Sequence, residues 1–162
     1  MTSRSIYDRA RLNLLNLAYR IYGLRWRFSG SVKIGVRILL LRGDTVVLVR
    51  HSYLPGWLLP GGGVKKLETL EQAARREAWE EVGATTTGPV HLLGVFSNFA
   101  ERKSDHVALF VCEEFTIDEN VRSWEILQWC HHPISRLPKE ARGVGEKISL
   151  YRSGARGVAG KW

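Results

Sequence analysis

One stretch limits what this chain can become: residues 62–84, GGVKKLETLEQAARREAWEEVGA, in a sequence of 162 residues. Its local signals are those of a helix with both ends marked. Thr69 is an N-cap residue, and Gln72 three positions on completes a capping box. Ala73 and Ala74 favour the helix and Gly83 stops it, for a length of about fourteen residues. At 3.6 residues per turn, Leu70, Ala73, Ala74, Glu77 and Glu81 share one face, with Glu80 at its edge. Three carboxylates thus occupy or border the small apolar face that ought to pack inward.

A helix that only needed a wetted surface would not place them there. Glu77 and Glu81 form an i, i+4 like-charge pair, which costs roughly a few tenths of a kcal/mol when solvated and more when partly buried. A divalent cation removes the conflict. Clustered carboxylate oxygens suit hard ions, Mg2+ first and then Mn2+ or Ca2+. Mg2+ keeps water and shares its coordination with substrate phosphates, so the stretch reads as a place where metal meets phosphate. Gly61, Gly62 and Gly63 supply backbone groups beside it. Arg76 can tie down a carboxylate or the loop by a charge-assisted hydrogen bond. A solvated acidic helix, steadied by Arg75, Arg76 and the caps, accounts for each residue singly but not for the constellation.

Around this stretch the chain reads as scaffold. Residues 31–41 and 45–50 are strand-like, with Arg42-Gly43-Asp44 as the hairpin turn between them. HSYLPGWLLPGGG follows: a turn at Pro55-Gly56, a short apolar strand at Trp57-Leu58-Leu59, and a glycine loop able to approach a ligand closely. Residues 89–96 and 106–115 are further strands, separated by a polar loop at 97–105. Residues 116–123 read as a turn region, 124–129 as a short strand and 131–138 as a Pro-bounded connection. Residues 139–152 suggest a short helix weakened by Gly143 and Gly145. Residues 5–24 carry an amphipathic helical pattern, with Ala10, Leu14, Leu17, Ala18 and Ile21 on one face. The expected organisation is a helical extension at 1–30, one domain at 31–152 and a flexible tail at 153–162. The fold class is α/β with a mixed, α+β sheet flanked by helices, not a regular βαβα alternation.

The formal net charge of +8 is concentrated at the ends. Residues 1–33 carry seven basic residues against one acidic, residues 139–162 six against two, and residues 34–138 eleven against thirteen. Basic ends attract phosphates on a small substrate, a nucleic acid or a membrane surface, or serve solubility alone. No apolar run is long enough to span a bilayer, and the N-terminus lacks a secretory h-region. Cys112 and Cys130 have no C-x-x-C spacing and read as free thiols in a reducing compartment. The expected location is cytoplasmic.

The opening stretch resembles the Nudix box, G-x5-E-x7-R-E-U-x-E-E-x-G-U, where U is apolar. Gly62, Glu68, Arg76-Glu77, Glu80-Glu81, Gly83 and Ala84 fall at the required spacings. The wider likeness runs over roughly residues 32–140. The resemblance implies an α/β/α sandwich with a mixed sheet, in which the motif is a loop–helix–loop. It implies Mg2+- or Mn2+-dependent hydrolysis of a nucleoside diphosphate linked to another group. It assigns Glu77, Glu80 and Glu81 to the metal, with the backbone of Gly61 or Gly62, and gives Glu68 and Arg76 the bracing of loop and helix. The expected catalytic set is Glu68, Arg76, Glu77 and Glu80. Leu67 stands where glycine is common and Lys65 where glutamate is common, while Ala78 and Ala84 are small for their apolar positions. None of these departures removes a metal ligand, but Lys65 and Lys66 change the charge at the rim.

A carboxylate must take the proton of the attacking water. Glu77 is the first choice, with Glu101, Glu113, Glu114, Glu119 and Glu125 open. Arg50 and His51, which end a strand before the glycine loop, are the expected substrate-binding residues together with Gly62 and Gly63. Trp57, Phe99, Trp124 and Trp129 can stack on a base or fill the core. His106 reads as structural, and His131-His132 lacks cysteine partners for a zinc site. The leading expectation is a pyrophosphohydrolase of a small-molecule nucleoside diphosphate derivative such as ADP-ribose, a nucleotide sugar or a nucleoside triphosphate. An RNA 5′-end pyrophosphohydrolase, favoured by the basic ends, and a non-catalytic nucleotide-binding regulator are the alternatives. A homodimer and membrane-surface contact by the N-terminal helix complete the partner expectations.

Overall fold

Residues 32–99, 105–141 and 143–162 are described by a computed structural model of the chain. The helical pattern at 5–24 and the candidate base Glu101 lie outside the described residues. In chain order the elements are β1 Lys33–Arg42, β2 Thr45–His51, α1 Leu70–Val82, β3 Ala84–Thr86, β4 His91–Asn98, β5 Asp105–Cys112, β6 Phe115–Ile117, β7 Ile126–Pro133, α2 Val144–Arg152 and β8 Val158–Lys161. A six-stranded sheet runs β7-β2-β1-β5-β4-β8, and β3 pairs with β6 in a separate small ladder. The β1–β5 and β4–β8 pairings are parallel and the other pairings in the large sheet antiparallel, so the sheet is mixed.

The central strands are apolar along their whole length because both faces are covered. Val36, Ile38 and Leu40 of β1 pack with Ala73, Ala74, Ala78 and Val82 of α1. Leu39 and Leu41 of the same strand pack with Val144 and Ile148 of α2 on the other face. The period-2 alternation of a strand thus splits one hydrophobic run between two cores. Helices on both faces of a mixed sheet give the expected α/β/α layering. Among the described residues no helix is long and apolar enough to cross a membrane.

β1 and β2 leave their hairpin paired only at Leu41–Val46 and Arg42–Thr45 and then part. The segment 58–63 fills the gap. Val36 and Ile38 donate their backbone N–H groups to Gly62 O and Pro60 O, each at 2.9 Å, while Leu58 and Val49 exchange two backbone bonds at 2.9 Å. The glycine loop is therefore stitched to β1 on one side and its approach to β2 on the other. Trp57-Leu58-Leu59, expected as a strand, makes only the isolated bridge at Leu58. Gly61 sits at φ 144°, and a Cβ there would lie 2.2 Å from Val36 O. No other residue fits that position without moving β1.

Two segments differ from expectation. His131-His132-Pro133 continues β7 instead of forming a connection, pairing with Val47, Val46 and Thr45. Proline is tolerated there because β7 is an edge strand. The tail is ordered by pairing rather than frayed: β8 runs parallel to β4, and Trp162 N–H donates to Ser97 O at 3.0 Å. Gly94 makes this pairing feasible, because a Cβ there would lie 2.1 Å from Val158 O. Beneath the tail, the buried Lys147 ammonium lies 4.5 Å from the Phe96 ring centroid and 5.9 Å from that of Trp162. It also donates to Lys161 O at 3.3 Å.

Candidate active site

The caps expected for α1 are present. Gln72 N–H donates to Thr69 Oγ1 at 3.1 Å, and Thr69 N–H donates to Gln72 Oε1 at 2.8 Å. Gly83 ends the helix in the left-handed region at φ 68°, and its carbonyl accepts the N–H of Asp118 at 3.0 Å. That bond ties the loop after β6 to the end of the helix. The 118–125 loop is thereby held at the C-terminus of α1, while the glycine loop meets the middle of the helix, where Arg76 Nη2 donates to Gly63 O at 3.0 Å.

Arg76 is the hub of the site. Its Nε and Nη2 donate to the two oxygens of Glu68 at 2.7 and 2.9 Å. Its Nη1 donates to Glu77 Oε1 at 2.7 Å and Glu80 Oε2 at 3.0 Å. Nη2 also donates to Gly63 O at 3.0 Å, locking loop to helix. The guanidinium holds the Glu68 carboxyl down at about 2. Burial pushes the Glu77 carboxyl up, against the pull of Arg76. Glu80, half-exposed, is shared with Lys65 at 3.1 Å.

Glu81 is the innermost carboxylate. Gly61 N–H donates to its Oε2 at 2.9 Å, and burial raises it to about 8. On its other side lies His51, which burial and then Arg37 lower to about 4. Their 3.5 Å separation is too long for a strong hydrogen bond, and burial opposes the charged form of each. Arg37 donates through Nη1 to Leu59 O and Gly61 O, each at 2.8 Å, and so pins the glycine loop from below.

A cleft of about 630 Å³ opens over this arrangement. Gly61, Gly62, Gly63, Arg76, Glu77, Glu80 and Glu81 line it, as the sequence suggests. Glu68 stands behind Arg76 as a brace. Arg50 and His51 do not line the cleft: Arg50 lies over the Trp57 ring at 5.8 Å, and His51 is buried behind Glu81. Of the open base candidates within the described residues, Glu125 lines the cleft, while Glu113, Glu114 and Glu119 do not. Tyr53, absent from the sequence reading, donates its hydroxyl to Glu125 Oε2 at 2.9 Å. Trp79 and Trp124 also line the cleft. Trp57 and Trp129 pack against the two cores, and His106 meets Ser97 Oγ at 3.2 Å.

Glu77, Glu80, Glu81 and Glu125 all line the cleft, and carboxylate oxygens are the donors a hard divalent ion takes. Glu77 also lies close to the loop, since a Cβ on Gly62 would come within 2.7 Å of its Oε1. Among the described residues no three ligating side chains converge into a finished ion cage. Arg76 and Lys65 instead supply the positive charge between the carboxylates. A cation entering the site competes with those two side chains for Glu77 and Glu80.

Diphosphoinositol polyphosphate phosphohydrolase 3-alpha of Mus musculus is 40% identical over 86 residues, 52% of this chain and 49% of the relative. Diphosphoinositol polyphosphate phosphohydrolase 2 of Homo sapiens is 36% identical over 84 residues, 51% of this chain and 43% of the relative. The chain thus spans about half the length of the curated relatives it matches. Among solved structures, a NUDIX hydrolase from Nitrosomonas europaea superposes with a TM-score of 0.68 at 20% identity, covering 78% of this chain and 93% of that one. A MutT NUDIX hydrolase from Burkholderia pseudomallei gives 0.63 at 23% identity, covering 75% and 97%. These two likenesses concern the fold. The family model of the NUDIX domain matches residues 32–153, well over half the sequence, and the chain belongs to that family.

Proposed function

We propose that the chain hydrolyses the diphosphate bond of a nucleoside diphosphate linked to another group. A divalent ion, Mg2+ first and Mn2+ second, would be held by Glu77, Glu80 and Glu81 with the backbone of Gly61 or Gly62. The observation that supports this most is the cleft itself, where four carboxylates and a glycine loop face one space of nucleotide size. When bound, the ion neutralises the diphosphate and lowers the pKa of water.

The chain's own residues supply the remaining steps. Arg76 fixes Glu77 and Glu80 through one nitrogen and the loop through another. Lys65 at the rim offers a cation to incoming phosphate. We assign the water's proton to the Glu125 carboxylate rather than to Glu77, already given to the metal; each keeps one oxygen outside its bond to Tyr53 or Arg76. The Tyr53 hydroxyl holds Glu125 by Oε2, and the backbone N–H of Ser52 holds its carbonyl at 2.8 Å.

The likeness to diphosphoinositol polyphosphate phosphohydrolases favours a second reading, with a diphosphoinositol polyphosphate as substrate and the same kind of bond broken. A Mg2+-supplemented screen of both compound classes, read as released phosphate or nucleotide, tests the proposal. Turnover should fall at least about tenfold in Glu80→Gln and in Glu125→Gln. No turnover of any diphosphate compound by the wild-type chain sinks it.

A further inference from the structure

Two tryptophans stand where a folded chain does not ordinarily leave them. Trp79 is 52% exposed and Trp124 is 56% exposed, and both line the carboxylate cleft. Each is followed in sequence by a cleft carboxylate, Trp79 by Glu80 and Trp124 by Glu125. They arrive on different elements. Trp79 is carried by α1. Trp124 is carried by a loop fixed at both ends, by Asp118 N–H on Gly83 O at 3.0 Å and by Ser52 N–H on Glu125 O at 2.8 Å. Within that loop Asp118 Oδ1 accepts from the backbone and side-chain nitrogens of Asn120, each at 2.9 Å. The loop that carries Trp124 is thus anchored by the chain itself.

The charges around it are as informative as the rings. Among the described residues lining the cleft, the cations Lys65, Arg76 and Arg122 stand against four glutamates. Without a divalent ion, two of these cations are paired with glutamates of the cleft. Lys65 pairs with Glu80, Arg76 pairs with Glu68, Glu77 and Glu80, and Arg122 donates to the carbonyls of Glu119 and Val121. The described lining thus carries no excess of cations, which a ring bearing many phosphates needs and a single metal-neutralised diphosphate does not. An aromatic base, by contrast, gains from an exposed indole face whatever its sequence of polar atoms.

We propose that Trp79 and Trp124 are specificity-determining residues that bind the aromatic base of a nucleoside diphosphate, selecting it over a polyphosphorylated, non-aromatic ring. This deepens the proposed function and rests on it for the position of the diphosphate. Base stacking sets the size of the effect, at least about fivefold per lost ring.

The test is a binding measurement with Mg2+ present, using ADP, inorganic pyrophosphate and a diphosphoinositol polyphosphate as probes. Expected for the wild type is tighter binding of ADP than of the other two. The ratio of ADP to pyrophosphate affinity should fall at least about fivefold in Trp124→Ala and in Trp79→Ala, and Trp124→Phe should restore most of it. An unchanged ratio in both alanine variants overturns the inference, as does wild-type preference for the diphosphoinositol polyphosphate. Binding and turnover separate the two claims. A chain that hydrolyses nothing but loses ADP on removal of the indoles refutes the hydrolase reading and upholds this one. A chain that hydrolyses nucleoside diphosphates equally well without either indole does the reverse.

Discussion

Nε2 of His51 lies 3.5 Å from Oε1 of Glu81, with both side chains almost wholly buried. Neither ring nitrogen of His51 has a hydrogen-bond partner within the described structure. The imidazole is thus a desolvated polar group beside a desolvated carboxyl, at a distance too long for a good hydrogen bond. Replacing it by an apolar residue of similar size removes that unpaired polarity. We expect His51→Leu to unfold in urea within about 1 kcal/mol of the parent, or above it. A loss of more than about 2 kcal/mol would show that the ring makes a bond of real strength.

Glu81 has the opposite character, because its oxygen is used. An amide at this position keeps an acceptor for Gly61 N–H and drops the burden of a buried ionisable group. Glu81→Gln should therefore hold or raise stability without added metal, while weakening divalent-ion binding at least about tenfold. Calorimetric titration with Mn2+ beside a urea melt in chelator separates the two effects. Unchanged Mn2+ affinity would remove Glu81 from the metal set.

The Glu68–Arg76 fork gives a pH dependence with a definite sign. The folded Glu68 carboxyl sits at about 2 against an ordinary 4.5. Between those values the unfolded chain binds the proton first, so stability falls as pH drops from about 4.5 towards 2 and is fully present above that window. Glu68→Gln should flatten this part of the acid unfolding curve. The variant should also lose about 1–3 kcal/mol near neutrality, where the charge-assisted pair is intact in the parent. Equal acid slopes in the two proteins would contradict the assignment.

Deleting residues 158–162 removes β8 and Trp162 from their places on β4 and Phe96. It also strips the buried Lys147 ammonium of the Lys161 carbonyl and of one aromatic face. Glu146 Oε1 at 3.2 Å and the Phe96 ring remain as its partners, so a buried ammonium is left with poorer compensation. We expect the truncated chain to lose about 3–5 kcal/mol, and Lys147→Met in the same truncation to recover part of it. A truncation without effect on the melting temperature would mean that the tail only rests on the sheet.

What could be read in the sequence is what depends on short spacings. The caps at Thr69, Gln72 and Gly83, the inward carboxylates and the brace of Glu68 and Arg76 lie within one helix and its flanks. Periodicity also held an unread clue: Val47, Val49 and His51 are alternate residues of β2, so His51 follows the two valines onto the α1 face. Arg50 follows Val46 and Leu48 to the opposite side, where it meets Trp57. Arg37, Tyr53 and Glu125 could not be read this way. Arg37 is a lone cation in an apolar strand, and its partners on the glycine loop lie over twenty residues on. Tyr53 and Glu125 meet across 72 residues. The tail was misjudged because its small residues carry little pattern, and its docking depends on the space left at Gly94.

The stitching of segment 58–63 between β1 and β2 bears on how such a chain can diverge. Its backbone bonds run to the two neighbouring strands and not to the residues immediately before it. An insertion at Pro55-Gly56 would lengthen the approach to the glycine loop without shifting its alignment on β1. The chain can therefore try new lengths and chemistries at the mouth of the cleft while the backbone beneath Glu77 and Glu81 stays in register.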